Sequence, residues 1–117
     1  GPGPGHLWCL DPAKPGTMAT DGFRDLSPVG DNFDATAQPN KDSGLVWHLG
    51  GPVVPKPAGD GRDIHFGRTL STVAVADGLL YAAEIDGYLH CLDAATGKKQ
   101  WEHDLKDGTW CSPIRLN

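Results

Sequence analysis

The sequence predicts an all-β chain whose most regular part is a four-stranded antiparallel meander between Arg68 and Leu105. Three observations predict it. Apolar residues alternate with other residues along four short runs, which is the period of a half-buried strand. Asp-Gly, Asp-Gly and Thr-Gly dipeptides separate these runs, and such dipeptides form tight turns. Parts of the meander also recur elsewhere in the chain, which is typical of repeat architectures.

Each of the four runs defines one strand of the meander. Asp86-Gly87 joins the second and third runs in two residues, a connection whose positive φ glycine adopts at little cost. In the fourth run Trp101, His103 and Leu105 share one face, because side chains alternate along a strand. The predicted strands are residues 72–76, 79–85, 88–92 and 99–105.

The chain before residue 68 differs in composition from the meander. The chain holds 16 Gly and 10 Pro, most of them in this part, and they predict two long loops over residues 12–40 and 52–67. Segments outside these loops resemble the meander. HLWCLD at residues 6–11 matches YLHCLD at residues 88–93, and the surroundings of Trp47 resemble those of Trp101.

The spacing of the repeats predicts the architecture. Ser112-Pro113-Ile114 aligns with Ser71-Thr72-Val73 at a spacing of 41 residues. A period near 40 residues with four strands per period is typical of a β-propeller blade. We predict a β-propeller fragment of about one and three-quarter four-stranded blades with two long loops. Its parts are the last two strands of one blade with an inserted loop at 12–40 (residues 6–51), a connecting loop (52–67), a complete blade (68–107) and the first strand of the next (108–117).

The segment CLDAATGKKQW resembles the tryptophan-docking repeat of the pyrroloquinoline-quinone (PQQ)-like propellers. That repeat has a small residue, any residue, Asp, two residues, Thr-Gly, three residues and Trp. Cys91 fills the small-residue position, Asp93, Thr96 and Gly97 form the turn, and Trp101 is the docking residue. Cys91 departs from the Ala that is usual at its position.

The residues of this motif have physical roles that fit a blade contact. The Asp93 carboxylate and Thr96 hydroxyl can accept hydrogen bonds from N–H groups of the turn, and Gly97 leaves a flat peptide surface that an indole can cover. Trp101 brings a large apolar area to the contact with a neighbouring blade. The resemblance extends loosely to Trp47, where the glycine stands three residues before the Trp instead of four.

The resemblance implies two classes of function. BamB-like outer-membrane assembly proteins use such blades without a cofactor, as a surface for partner proteins. Quinoprotein dehydrogenases hold PQQ and calcium in the central funnel, often beside a disulfide of adjacent cysteines, and this chain has no adjacent cysteine pair. We predict a non-catalytic scaffold for protein–protein or ligand binding, without a cofactor. The alternatives are a fragment of a PQQ-dependent dehydrogenase and a self-associating propeller unit. The family resemblance implies a periplasmic or other extracytoplasmic location.

Charge and hydropathy limit the partners that we expect. The net charge of −5, without a cluster of Lys and Arg, argues against nucleic acid, and no run of about 18 apolar residues predicts a membrane span. The predicted partners are neighbouring blades or further copies, because a repeat that cannot bury its face alone needs neighbours. We therefore expect no stable isolated monomer. Cys9, Cys91 and Cys111 form no CxxC motif and are predicted to be buried free thiols.

Acidic and histidine side chains offer the remaining candidates for a metal or catalytic site. The loop acids lack the DxDxDG spacing of a calcium loop, and the five His residues form no HxH or HExxH motif. We predict solvated loop charges, no metal site and no catalytic residues. His90 and His103 are predicted to be partly buried structural residues. The loop residues considered as calcium ligands are Asp21, Asp25, Asp31, Asn32, Asp34, Asp60 and Asp63.

Overall fold

The computed structural model describes residues 4–18, 22–28, 40–59 and 61–116, and this part of the chain is all-β, without a helix. A two-stranded antiparallel sheet has the order β1-β2, and a four-stranded antiparallel sheet has the order β3-β4-β5-β6. The predicted all-β class and the meander are therefore confirmed. The strands are β1 (His6–Leu10), β2 (Leu45–Gly50), β3 (Ala74–Ala76), β4 (Leu79–Ala83), β5 (Tyr88–Asp93) and β6 (Lys99–Asp104). Nothing in these ranges could cross a membrane as a helix.

The β3–β4 hairpin is closed by a two-residue turn. Asp77 and Gly78 both have positive φ, 54° and 77°, between the paired residues Ala76 and Leu79. Positive φ at both central residues is the geometry of a type I′ turn, whose twist matches that of the flanking strands. The first Asp-Gly dipeptide of the meander thus forms the tight turn that the sequence predicts.

The β4–β5 connection differs from the prediction of a two-residue turn at Asp86-Gly87. Strand β4 ends at Ala83, and the Glu84 N–H donates to the Tyr88 carbonyl oxygen at 2.9 Å. The three residues between them close through a hydrogen bond from the Gly87 N–H to the Glu84 carbonyl oxygen at 3.0 Å. Gly87 has φ 93°, so this is a three-residue hairpin that ends in a left-handed glycine. The longer loop leaves Glu84 directly opposite Tyr88.

The β5–β6 turn is organised by Asp93, as the sequence predicts. Its Oδ1 atom accepts hydrogen bonds from the backbone N–H groups of Ala95 and Thr96, at 2.9 and 3.0 Å, and from the Thr96 hydroxyl at 3.2 Å. Gly97 has φ 73° and donates its N–H to the Asp93 carbonyl oxygen at 2.8 Å. The role of this turn in docking another blade stays a prediction.

The strand register assigns the side chains of the meander to two faces. Ala82, His90 and Glu102 are cross-strand partners on one face, which we call the loop face because the 52–67 loop contacts it. Tyr81, Cys91 and Trp101 are cross-strand partners on the other, which we call the groove face. Leu80 and Leu92 add buried apolar area to the loop face, and Phe66 of the loop is fully buried beside them.

The chain divides into two compact units. One contains residues up to Leu7 and from His48 onward, with the meander, the 52–67 loop and the segment after β6. The other is Trp8–Trp47, in which Arg24 holds irregular backbone together through its guanidinium group. A single guanidinium with several donors can replace the hydrogen bonds that regular strands would provide. The carbonyl oxygens that accept from it belong to Pro12, Lys14, Pro15, Asp42 and Ser43.

The segments outside the strands bear on two further predictions. Residues 108–116 contain no strand, so their role as the first strand of a next blade stays a prediction. The three cysteines are free, but only Cys91 is buried, whereas Cys9 is half-buried and Cys111 is exposed. The prediction of buried thiols is thus wrong for Cys111, because its segment lies at the surface without a paired strand.

Candidate functional site

Two ionisable side chains are fully buried on the loop face of the meander. Glu84 and His90 each have 0% of their surface exposed. Buried charges are rare in proteins unless they are paired, because removing them from water is costly. These two residues and the partners that surround them, Arg62, Tyr88 and Glu102, form what we call the Glu84 cluster.

Glu84 is held by a two-pronged ion pair with Arg62. One guanidinium nitrogen donates to Glu84 Oε1 at 2.6 Å, and the other donates to Oε2 at 2.9 Å. This fork geometry is the strongest form of an arginine–carboxylate contact. Gly67 lies against the Glu84 carboxylate so closely that a Cβ atom at position 67 would overlap with it. The backbone of the 52–67 loop therefore approaches the meander where a side chain cannot fit.

The carboxyl group of Glu84 is held in its ionised form. Burial by itself would raise its pKa, but the hydrogen bonds and positive charges of His90 and Arg62 outweigh burial and lower the pKa to about 2. A carboxylate with this pKa stays negative throughout the neutral range. The cluster therefore contains a permanent buried anion whose charge Arg62 compensates.

His90 lies between two carboxylates. Its Nε2 atom contacts Glu84 Oε2, and its Nδ1 atom lies 3.5 Å from Glu102 Oε1. Nδ1 is buried and has no hydrogen-bond partner within the described ranges. The ring packs against Phe66, with the two ring centroids 5.0 Å apart. His90 was predicted to be partly buried, and the structure buries it completely.

The rim of the cluster adds positive charge. Arg62 donates a further hydrogen bond to Glu102 Oε1 at 3.0 Å, and its guanidinium carbon lies 3.7 Å from the centroid of the Tyr88 ring. Lys99 Nζ lies 3.4 Å from Glu102 Oε1. Two cations thus face the two carboxylates of the cluster.

Glu84, His90 and Glu102 bring three possible metal ligands together. Each offers one ligand atom, and these atoms lie within 4.8 Å of one another. No sequence motif predicts this set, because residues 84, 90 and 102 are far apart and form no short motif. The signal was the cross-strand pairing of His90 with Glu102, which becomes visible only once the register is known.

The loop acids and His103 do not take part in this cluster. Asp25 accepts hydrogen bonds from Ser27, and Asp63 pairs with Lys56 at 3.2 Å. His103 is exposed, so the prediction of partial burial is wrong for it, because its face of β6 is open to solvent. The other loop residues considered as ligands lie outside the described residues: Asp21, Asp31, Asn32, Asp34 and Asp60.

The groove face carries an apolar groove of about 330 Å³. Tyr81 and Trp101 form part of its wall, with ring centroids 6.1 Å apart, and Trp101 remains 44% exposed. Pro113 and Ile114 of the segment after β6 also line it. The wall of this groove thus contains two aromatic rings, one of which belongs to a half-exposed indole.

The predicted docking residues lie in different environments. Trp101 lines the groove, and Cys91 is its buried cross-strand partner on the same face. The Asp93, Thr96 and Gly97 residues form the turn between β5 and β6, as described above. Trp47 lies in β2, within the Trp8–Trp47 unit, and is buried there.

A second histidine contact occurs at the β1–β2 sheet. The Nδ1 atom of His6 lies 2.8 Å from Nε2 of His48, and the two rings are stacked. Partial burial lowers the pKa of His48, and the nearby charge of His6 lowers it further. Two imidazoles this close can bind metal ions weakly, so this pair requires a control in any metal titration.

Comparisons with known proteins identify no relative. No protein-family model, no curated protein and no solved structure matches the chain. The resemblance to PQQ-like propellers therefore rests on the residues of the sequence, chiefly Asp93, Thr96, Gly97 and Trp101.

Proposed function

We propose that residues 68–107 form one blade of a larger β-propeller, and that this propeller is a non-catalytic scaffold for binding partner proteins. The observation that carries the proposal is the difference between the two faces of the meander. Phe66 and Arg62 cover the loop face, whereas the groove face presents an apolar groove with Trp101 half-exposed. An open apolar face on a repeat unit is a surface that a neighbour covers.

The topology of the meander supports this proposal. Four antiparallel strands in chain order are the arrangement of a propeller blade. The turn that Asp93 organises contains the hydrogen bonds that the tryptophan-docking motif requires. Trp101 follows this turn in β6 and projects from the groove face, where a neighbouring blade would pack.

The proposed occupant of the groove is the following blade. Pro113 and Ile114, which line the groove, belong to the segment that aligns with the start of the meander. This alignment supports the proposal that the segment leads into the first strand of a following blade. The remaining apolar residues of such a blade, in a longer chain or in a second copy, would fill the groove and cover Trp101.

Self-association of the full chain tests this proposal. We expect the chain to associate at concentrations between about 1 and 100 µM, measured by sedimentation equilibrium, because two copies can cover each other's groove faces. Trp101→Ser should abolish this association. Trp110→Ser is the matched control, since Trp110 is 72% exposed and does not line the groove. A compact monomer at every concentration, or equal effects of both substitutions, would contradict the proposal.

A further inference from the structure

We propose that the Glu84 cluster is also a binding site for a divalent transition-metal ion, with Glu84, His90 and Glu102 as ligands and Arg62 as the group that the metal displaces. This inference does not depend on the blade proposal. It concerns the loop face of the meander, which the proposed scaffold function does not use.

The positions of the three ligands are fixed by the sheet. His90 and Glu102 are directly paired across β5 and β6, and Glu84 is held in the hairpin next to β5. One ligand atom from each lies within 4.8 Å of the others. His90 contacts Glu84 through Nε2 and faces Glu102 through Nδ1. An ion bound at Nδ1 by His90 and Glu102 therefore requires the Glu84 carboxylate to move round to the Nδ1 side of the ring, and release from Arg62 would permit that movement.

The unpaired nitrogen of His90 is the second observation that points to a ligand. His90 is fully buried, and its Nδ1 atom lacks a hydrogen-bond partner in the described part of the chain. This atom lies 3.5 Å from Glu102 Oε1, too far for a good hydrogen bond. A buried nitrogen without a partner is costly, and an ion held between His90 and Glu102 would remove that cost.

The chemistry of these donors selects the class of ion. One imidazole nitrogen and two carboxylate oxygens suit Zn²⁺, Co²⁺ and Mn²⁺. Ca²⁺ and Mg²⁺ prefer oxygen ligands throughout and fit this set poorly. Three protein ligands also leave a coordination position for water. The coordinating nitrogen of His90 must be unprotonated, so any proton that it carries passes to solvent when the metal binds.

Arg62 is the competitor of the metal ion. Its guanidinium group now neutralises the same two carboxylates, through hydrogen bonds to Glu84 and Glu102. A divalent ion would supply this positive charge from within the cluster. Arg62 would then leave, and the 52–67 loop would lose its main polar contact with the meander. Metal binding is thereby coupled to release of this loop.

Titration of the full chain with Co²⁺ and Zn²⁺ tests the proposal. The parent protein for the titration carries His48→Gln, so that the His6–His48 pair does not contribute. We expect one saturable site by calorimetry, d–d absorption with Co²⁺, and no saturable binding of Ca²⁺ or Mg²⁺. The Glu102 side chain is partly exposed, and glutamine has the same shape as glutamate. Glu102→Gln should therefore weaken metal binding by about 10- to 100-fold. Asp63→Asn is the control outside the cluster and should leave the affinity unchanged.

Substitution of Arg62 tests the competition. Arg62→Lys cannot form the two-pronged contact and should bind Zn²⁺ about tenfold more tightly. Zn²⁺ should also accelerate tryptic cleavage after Arg62 in the parent protein. Equal affinities of Glu102→Gln and the parent would overturn the site. Unchanged affinity in Arg62→Lys, or unchanged cleavage with Zn²⁺ bound, would overturn the displacement of Arg62.

Discussion

The buried ion pair of Glu84 makes the stability of the chain depend on pH in a defined window. Glu84 has an ordinary pKa of 4.5, which the fold lowers to about 2 through His90 and Arg62. The folded state therefore holds this proton less tightly than the unfolded state does. Its contribution to stability is fully present above about pH 5, and it is lost as the pH falls toward 2.

The size of this contribution follows from the shift. Each pKa unit corresponds to about 1.4 kcal/mol, so the shift of Glu84 from 4.5 to about 2 corresponds to roughly 3–4 kcal/mol at neutral pH. The side chain has no exposed surface, so solvent screening does not reduce this figure greatly. Linkage predicts that about 2 kcal/mol of it is lost by pH 3.

Urea unfolding between pH 7 and pH 2.5 measures this loss. Glu84→Gln removes the titrating group. Between pH 7 and pH 3 we therefore expect the free energy of unfolding of the variant to decrease less than that of the wild type, by about 2 kcal/mol. At pH 7 the variant should itself be less stable by about 3–5 kcal/mol, because Arg62 and His90 lose their buried partner. Guanidinium-free buffers of constant ionic strength keep screening equal across the series.

A second carboxyl group provides the control for this experiment. The pKa of Asp104 is also lowered, first by a hydrogen bond from the Lys106 backbone. Asp104 is the cross-strand partner of Tyr88, but its carboxylate pairs with Lys106 and not with Arg62 or His90. Asp104→Asn should therefore keep the part of the pH dependence that Glu84→Gln removes. If Glu84→Gln and the wild type lose stability in parallel as the pH falls, Glu84 is not the anion that the structure describes.

Two further predictions concern backbone contacts, and urea unfolding at pH 7 checks both. Gly67→Ala should destabilise the chain by about 1–3 kcal/mol, because the added Cβ atom would push the Glu84 carboxylate away from Arg62. A change below about 0.5 kcal/mol would show that the 52–67 loop can move to accommodate the Cβ atom without loss of stability. Asp93→Ala should lower the free energy of unfolding by about 1–2 kcal/mol, because the β5–β6 turn loses three hydrogen bonds. An unchanged urea midpoint would mean that Thr96 and solvent replace these bonds.

The meander and its turns could be predicted from the sequence because their signals are local. Alternation marks the strands, and the φ of Gly78 and Gly97 is positive, as their turns require. The β4–β5 hairpin was predicted one residue too short, since Asp-Gly serves both two-residue and three-residue connections. The hydrogen bond from the Glu84 N–H to the Tyr88 carbonyl oxygen fixes the three-residue connection. Residue propensities do not reveal such a bond.

The Glu84 cluster could not be predicted because its contacts are distant in sequence. Arg62 reaches Glu84 from a Pro- and Gly-rich loop 22 residues earlier, in a stretch without periodicity. Which residues of β6 face His90 depends on the irregular register beside Cys91 and Leu92, where pairing shifts. A polar residue inside an apolar strand was visible in the sequence, but its partners were not.

The unequal faces of the meander also favour one symmetry for pairs of this chain. The loop face carries Arg62 and Phe66 of the 52–67 loop, whereas the groove face leaves Trp101 44% exposed. Two separate copies that bring their groove faces together about a two-fold axis would form an isologous contact, and that contact would bury both Trp101 side chains.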